Sequence, residues 1–225
     1  MSTPRLRRHD LIWLDPGVDA GLFAAVGQRD LARDWVQQGF PLVVARQSNE
    51  LAGEANQVML GFTLPSAPMR TRVMLRADRT AIIRHSRPLP LLETMQYAPA
   101  SWRAGLDRLH TLLERTGTEA RVYGSLSFET LTGKRYLDAA SDLDLLLECG
   151  DATMLRELLA GLEDFPLPIP RLDGEILAAS GWAVAWRELA SAVRTDTPRQ
   201  VLAKSDCDAR LIFVEEFTQP LLIPA

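Results

Sequence analysis

Ser141-Asp142-Leu143-Asp144-Leu145-Leu146-Leu147 is the stretch on which the reading of this chain turns. Residues 143–147 have the apolar continuity of a buried strand, and successive strand side chains point to opposite faces. Asp142 and Asp144 therefore share one face, and Leu143 and Leu145 point to the other, toward a core. Two carboxylates side by side at the lip of an apolar strand repel each other unless a cation lies between them. Hard oxygen donors of this kind suit Mg²⁺, with Mn²⁺ as the alternative, and the ion completes its shell with water and substrate phosphates. A pair of such ions is a standard device for in-line displacement at phosphorus.

Upstream, Val122-Tyr123-Gly124-Ser125 supplies the complementary half. A glycine between a strand (120–124) and a short helix (125–132) lets backbone approach a phosphate closely, and the helix start offers unpaired N–H donors. The Ser125 hydroxyl adds one more donor. A third carboxylate is expected from a neighbouring strand, and Arg171-Leu172-Asp173-Gly174-Glu175-Ile176 offers Asp173, with Glu175 as the alternate, against the reading of Asp173-Gly174 as a hairpin turn. Lys134 and Arg135, between the Gly-Ser and the acid pair, are placed to touch polyphosphate oxygens. Lys204, one of two lysines in the chain, is a further candidate phosphate ligand. His9, His85 and His110 show no pairing pattern, and no internal nucleophile with a base beside it can be argued.

The acid-bearing strand sits within an alternating strand–helix series: helix 153–162, strand 171–178, a turn at Gly181, helix 185–193, and strands 201–204 and 209–214. Helix 102–115, with Ser101 as its N-cap, opens that series. Before it, the pattern changes. Leu11–Leu14, 41–45 and 57–64 read as strands, and 20–38 as a helix ended by Gly39. Residues 72–75 and 80–84 surround the turn-like Ala77-Asp78-Arg79 and suggest a hairpin. The proline-rich Arg87-Pro88-Leu89-Pro90 and Pro99 set the boundary, giving a small N-terminal α+β domain over 1–98 and a second domain over 99–225. The expected class is α+β.

Charge follows the same division. Residues 1–98 carry 12 arginines against 9 acids, whereas residues 99–225 carry 13 basic against 20 acidic residues. Arg70, Arg72, Arg76, Arg79, Arg84 and Arg87 concentrate the positive charge, enough to attract an anionic partner. The overall charge of −4 argues against long nucleic acid, which needs a sustained basic footprint. No apolar run approaches membrane-spanning length. The basic Arg5-Leu6-Arg7-Arg8 leads into His9-Asp10 rather than a signal core, and Cys149 and Cys207 have no metal-ligand spacing. A cytoplasmic protein with reduced thiols is the expectation.

These residues resemble a known family. Gly124-Ser125 followed by Ser141-Asp142-Leu143-Asp144 is similar to the nucleotidyltransferase superfamily signature, whose fold places two acids on one strand and a third on the next. The long spacing, enclosing Phe128-Glu129-Thr130-Leu131-Thr132-Gly133 and Tyr136-Leu137, narrows the match, as do Asp173-Gly174-Glu175 and the 181–189 segment Gly-Trp-Ala-Val-Ala-Trp-Arg-Glu-Leu. Together with Arg8-His9-Asp10-Leu11 and Pro41-Leu42-Val43-Val44-Ala45-Arg46, they resemble the malonate decarboxylase holo-acyl-carrier-protein synthases, also called phosphoribosyl-dephospho-CoA transferases.

The resemblance implies a reaction. The phosphoribosyl-dephospho-CoA part of 2′-(5″-triphosphoribosyl)-3′-dephospho-CoA passes to a serine of the acyl carrier protein subunit of malonate decarboxylase, and pyrophosphate leaves. It further implies that Asp142 and Asp144 hold the metal on the polyphosphate, that Asp173 orients or deprotonates the incoming serine, and that Gly124 and Ser125 hold the departing pyrophosphate. The arginines of 70–87 would receive the acidic carrier or the ligand's phosphates. Two other readings stand beside it: another nucleotidyltransferase, for example one moving AMP to a small molecule or protein, and a non-catalytic nucleotide-binding regulatory module. The intact acid pair disfavours the last.

Overall fold

A computed structural model of the 225-residue chain describes residues 5–18, 24–47, 56–65, 71–165, 170–194 and 199–219. Arg70, the 20–23 part of the expected first helix and most of the proline connector at 166–169 lie outside the described residues. The chain divides into two compact units, each with its own sheet. The first comprises Met1–Pro88 together with the short segments Leu131–Tyr136 and Asp206–Asp208; the second comprises Leu89–Thr130, Leu137–Ser205 and Ala209–Ala225. The protein is α+β, as its sequence suggests, with a smaller N-terminal unit followed by a mixed-sheet unit carrying helices.

In the first unit, β1 (Leu11–Leu14), α1 (Arg29–Gln37), β2 (Leu42–Val44), β3 (Gln57–Thr63), β4 (Arg72–Asp78) and β5 (Ile82–Ser86) follow in order. The strands form an antiparallel sheet ordered β4-β3-β2-β1-β5. α1 turns Ala32, Trp35 and Val36 inward. There Trp35 stacks on Phe62 at 4.3 Å and donates its indole N–H to the Pro41 carbonyl.

Two sequence expectations fail in this unit. Among the described residues the helix starts only at Arg29: Ala24 bridges to Leu75, Ala25 is extended and Val26 is 80% exposed, so the apolar stripe read over 20–38 is not continuous. Nor do residues 72–84 form a hairpin. β4 pairs with β3 and β5 with β1, at opposite edges of the sheet. The Asp78 carboxylate accepts from the Thr80 N–H and hydroxyl, capping the turn over Arg79–Ala81, after which the chain crosses to β1 instead of running back along β4. Four strand spacings, about 19 Å, separate the two edges. The described arginines of 72–87 therefore form no single patch: Arg72 and Arg76 lie on β4, Arg84 lies over the Trp13 ring by β5, and Arg87 faces Asp10.

The second unit contains β6 (Leu89–Pro90), α2 (Leu91–Thr94), α3 (Arg103–Arg115), β7 (Glu119–Tyr123), α4 (Gly124–Thr132), β8 (Asp142–Glu148) and α5 (Ala152–Glu163). There follow β9 (Arg171–Leu177), β10 (Ala183–Ala185), α6 (Trp186–Val193), β11 (Gln200–Lys204), β12 (Ala209–Phe213) and α7 (Val214–Thr218). Ser101 does not cap α3; a 3-10 turn over Ala100–Trp102 leads in, and Trp102 occupies the cap position without a side-chain bond.

The seven-stranded sheet is ordered β12-β11-β10-β9-β8-β7-β6. All neighbours are antiparallel except β8 and β9, which α5 links as a crossover and which run parallel. Alternation then sorts the sheet's two faces. Val122, Leu143, Leu145, Leu147, Leu172, Ile176, Val184, Val201 and Ile212 belong to one core with inward residues of α3, α5 and α6. The opposite face carries Tyr123, Asp142, Asp144, Asp173, Glu175 and Lys204.

Candidate active site

The site is built where four elements of the second unit begin or end together: β7 ends, and α4, β8 and β9 begin. β7 delivers Tyr123 opposite Asp144 in the antiparallel ladder, and the next residue, Gly124, opens α4. Gly124 has φ +69°, a left-handed conformation that glycine adopts without steric cost. A Cβ there would run into the Asp144 carboxylate, lying 2.8 Å from its Cγ. The glycine thus lets a helix start pass directly over a carboxylate, which is where a phosphate oxygen approaches backbone N–H groups. Ser125 is buried in the first turn of the same helix.

The parallel ladder sets the acids. Asp142 lies opposite Arg171 and Asp144 opposite Asp173, so Asp144 and Asp173 are neighbours across two strands, on the face Asp142 shares. Asp173 is exposed and accepts the Gly174 N–H at 2.8 Å. It lies within the strand and not in a hairpin turn. Asp142 is gripped by the Arg171 guanidinium, Nε standing 2.5 Å from Oδ1 and Nη2 bonding Oδ2. The hydrogen bonds and charge of Asp142, with the added charge of Asp173, hold the Arg171 pKa above its ordinary value.

The remaining candidates are distributed more widely. Glu175 is only 5% exposed and pairs with Lys204, Nζ to Oε1 at 3.0 Å. This pair lies on the acid-bearing face but engages each residue with the other. Lys134 and Arg135 belong to the first unit, where Lys134 donates to Gln38 Oε1 at 3.1 Å and lies over the Phe40 ring.

Sequence reading missed Arg171, because its role depends on a strand register that no local pattern announces. It also found no pairing for His85, whose Nε2 lies 2.8 Å from Oδ2 of the fully buried Asp10 in the first unit. That contact follows from β1 pairing with β5.

Among the described residues, no three His, Cys, Asp or Glu side chains already form a metal-holding group. Mg²⁺, however, is usually held by one or two carboxylates plus substrate phosphates, not by an all-protein cage. Asp144 and Asp173 on adjacent strands, with Asp142 beside them and the close glycine above Asp144, fit such an ion brought with a phosphate ligand. No helix among the described residues is long and apolar enough to cross a membrane.

Fold and site define a two-unit α+β protein with a carboxylate cluster beneath a glycine-led helix start, on the face of a mixed sheet opposite its main apolar core. Residues 7–88 match the family described as phosphoribosyl-dephospho-CoA transferase MdcG N-terminal domain, and residues 90–215 match its C-terminal domain. Curated relatives carry the name phosphoribosyl-dephospho-CoA transferase. One from Xanthomonas campestris pv. campestris (strain 8004) is 35% identical over 91% of this chain and 93% of its own length. Another, from Bradyrhizobium diazoefficiens, is 38% identical over 81% of each chain, and one from Pseudomonas putida (strain W619) is 31% identical over 94% and 95%. No solved structure matches the chain at a significant level. The chain belongs to the phosphoribosyl-dephospho-CoA transferase family.

Proposed function

We propose that this protein transfers phosphoribosyl-dephospho-CoA from 2′-(5″-triphosphoribosyl)-3′-dephospho-CoA to a serine of the apo acyl carrier protein subunit of malonate decarboxylase, releasing pyrophosphate. The observation that carries the reading is the juxtaposition of Gly124 with Asp144, beside Asp173. It supports the reading because displacement at a phosphate calls for a close backbone approach beside carboxylates that can hold a cation and take a proton. The names of the family and its relatives support the transferred group.

In this reading the bond that forms joins the carrier's serine oxygen to the α-phosphorus. The bond that breaks joins that phosphorus to the oxygen bridging to the β-phosphate, so pyrophosphate departs with the electron pair. Asp173, exposed at the strand start, orients the serine hydroxyl and accepts its proton. The N–H groups at the start of α4 and the Ser125 hydroxyl receive oxygens of the departing pyrophosphate. Asp142 and Asp144 would hold Mg²⁺ or Mn²⁺, which when bound neutralises polyphosphate charge. Glu175, buried against Lys204, is a weaker candidate for the third carboxylate than Asp173. The nucleophile belongs to the carrier, which accounts for the lack of an internal one. The reaction is placed in the cytoplasm, with no nucleic acid or membrane among its partners.

The test is to incubate the protein with the triphosphoribosyl precursor, Mg²⁺ and purified apo carrier. The carrier should gain the mass of one phosphoribosyl-dephospho-CoA group, lost when its serine is replaced by alanine, with one pyrophosphate released per carrier. Transfer of AMP from ATP instead, or no transfer at all, would overturn the proposal.

A further inference from the structure

Arg171 is a cation in the middle of a carboxylate site, and the roles given to the carboxylates do not explain it. It opens β9 directly opposite Asp142, closes on both oxygens of that side chain, and remains 66% exposed. With the guanidinium in solvent over a 21%-exposed Asp142 side chain, the pair contributes little net stability, so holding the fold together is a poor reason for it. The planar fork that fits a carboxylate fits a phosphate equally well. While it grips Asp142, it also occupies an oxygen pair that a cation would need.

We propose that Arg171 is the receptor for the leaving pyrophosphate, and that it takes up this role by exchanging Asp142 for the polyphosphate of the arriving substrate. The inference rests on the phosphoryl-transfer reading above and adds to it a residue and an order of events. Before ligand arrives, the guanidinium offsets the mutual repulsion of Asp142, Asp144 and Asp173. A polyphosphate, carrying several negative charges, draws the guanidinium away. The carboxylate it leaves becomes available to a cation at the moment the phosphates that complete the cation's shell are in place. Anion and cation therefore favour each other's binding, and neither binds as well alone.

The experiment titrates inorganic pyrophosphate and Mn²⁺ separately onto wild-type protein and onto Arg171→Met and Arg171→Lys, reading pyrophosphate by calorimetry and Mn²⁺ by its electron paramagnetic resonance signal. Arg171→Met should bind pyrophosphate at least tenfold more weakly and Mn²⁺ alone several-fold more tightly, because the competitor for Asp142 is gone. Arg171→Lys, which keeps the charge without the fork, should fall between. Effects of opposite sign on the two ligands are not what a merely structural role produces. Unchanged pyrophosphate affinity in Arg171→Met would overturn the proposal, and so would Mn²⁺ affinity that is unchanged or falls along with it. If wild-type protein moves no phosphoribosyl-dephospho-CoA, the parent reading fails. If it does, and Arg171→Met binds both ligands as wild type does, only this inference fails.

Discussion

Gly124 and Asp144 stand so close that no side chain fits between them: a Cβ on the glycine would lie 2.8 Å from the aspartate Cγ and closer still to one carboxylate oxygen. Two requirements meet at this residue, since its φ of +69° also disfavours any other amino acid. Gly124→Ala is therefore expected to displace the Asp144 carboxylate and reduce transfer at least a hundredfold. The added backbone cost is only about 1–2 kcal/mol, so the fold should survive. Circular dichroism and transfer assays on the same preparation check this. A folded Gly124→Ala protein with near wild-type turnover would show that the close approach has no role in the chemistry.

Asp173 and Glu175 lie two residues apart on β9, yet their surroundings differ. Asp173 is exposed beside Asp144, whereas Glu175 is buried and tied to Lys204. Asp173→Asn should lower turnover by two or more orders of magnitude with little change in melting temperature. Glu175→Gln should do the reverse, because it leaves the Lys204 ammonium facing a neutral amide at a buried position. Equal losses of turnover from both variants would contradict the separation of roles.

Helix α5 depends on Asp151, whose carboxylate accepts the N–H groups of Thr153 and Met154 at 2.7 and 3.1 Å. The Met154 and Thr153 backbone bonds hold its pKa below the ordinary value. A lowered folded-state pKa contributes stability that is present above the unfolded value of about 3.9 and lost as pH falls through the folded value. The melting temperature of Asp151→Ala should accordingly lie below wild type at pH 7, and the gap should close as the pH drops below about 4. A gap that persists unchanged at pH 2 would show that charge has no part in the cap.

How much of this was legible in the sequence depended on whether the signal was local. β8 could be read because Leu143, Leu145 and Leu147 alternate with the acids, and the glycine between β7 and α4 because a strand and a helix flank it. The failed hairpin at 72–84 shows the limit. Asp78 and Thr80 make the same turn whether the chain folds back or crosses to the other edge of the sheet. Arg171 on Asp142, Lys204 on Glu175 and His85 on Asp10 all depend on strand order and register, fixed by packing between segments 29 to 75 residues apart. Composition gave the arginines of 72–87 as a group, but only the sheet order reveals that they point to separate edges.

Asp142 and Asp144 together are expected to make the site work, and the most direct measurement is transfer of labelled phosphoribosyl-dephospho-CoA to apo carrier protein by the double variant Asp142→Ala, Asp144→Ala. The protein should stay folded, since both carboxylates stand at a strand start and the Arg171 guanidinium released from Asp142 is already mostly in solvent. Turnover should fall by at least three orders of magnitude, since charge stabilisation by a bound cation contributes several kcal/mol at about 1.4 kcal/mol per tenfold in rate. Chelator should abolish wild-type transfer to the same level. A folded double variant that still transfers the group at a tenth of the wild-type rate or faster would contradict the account.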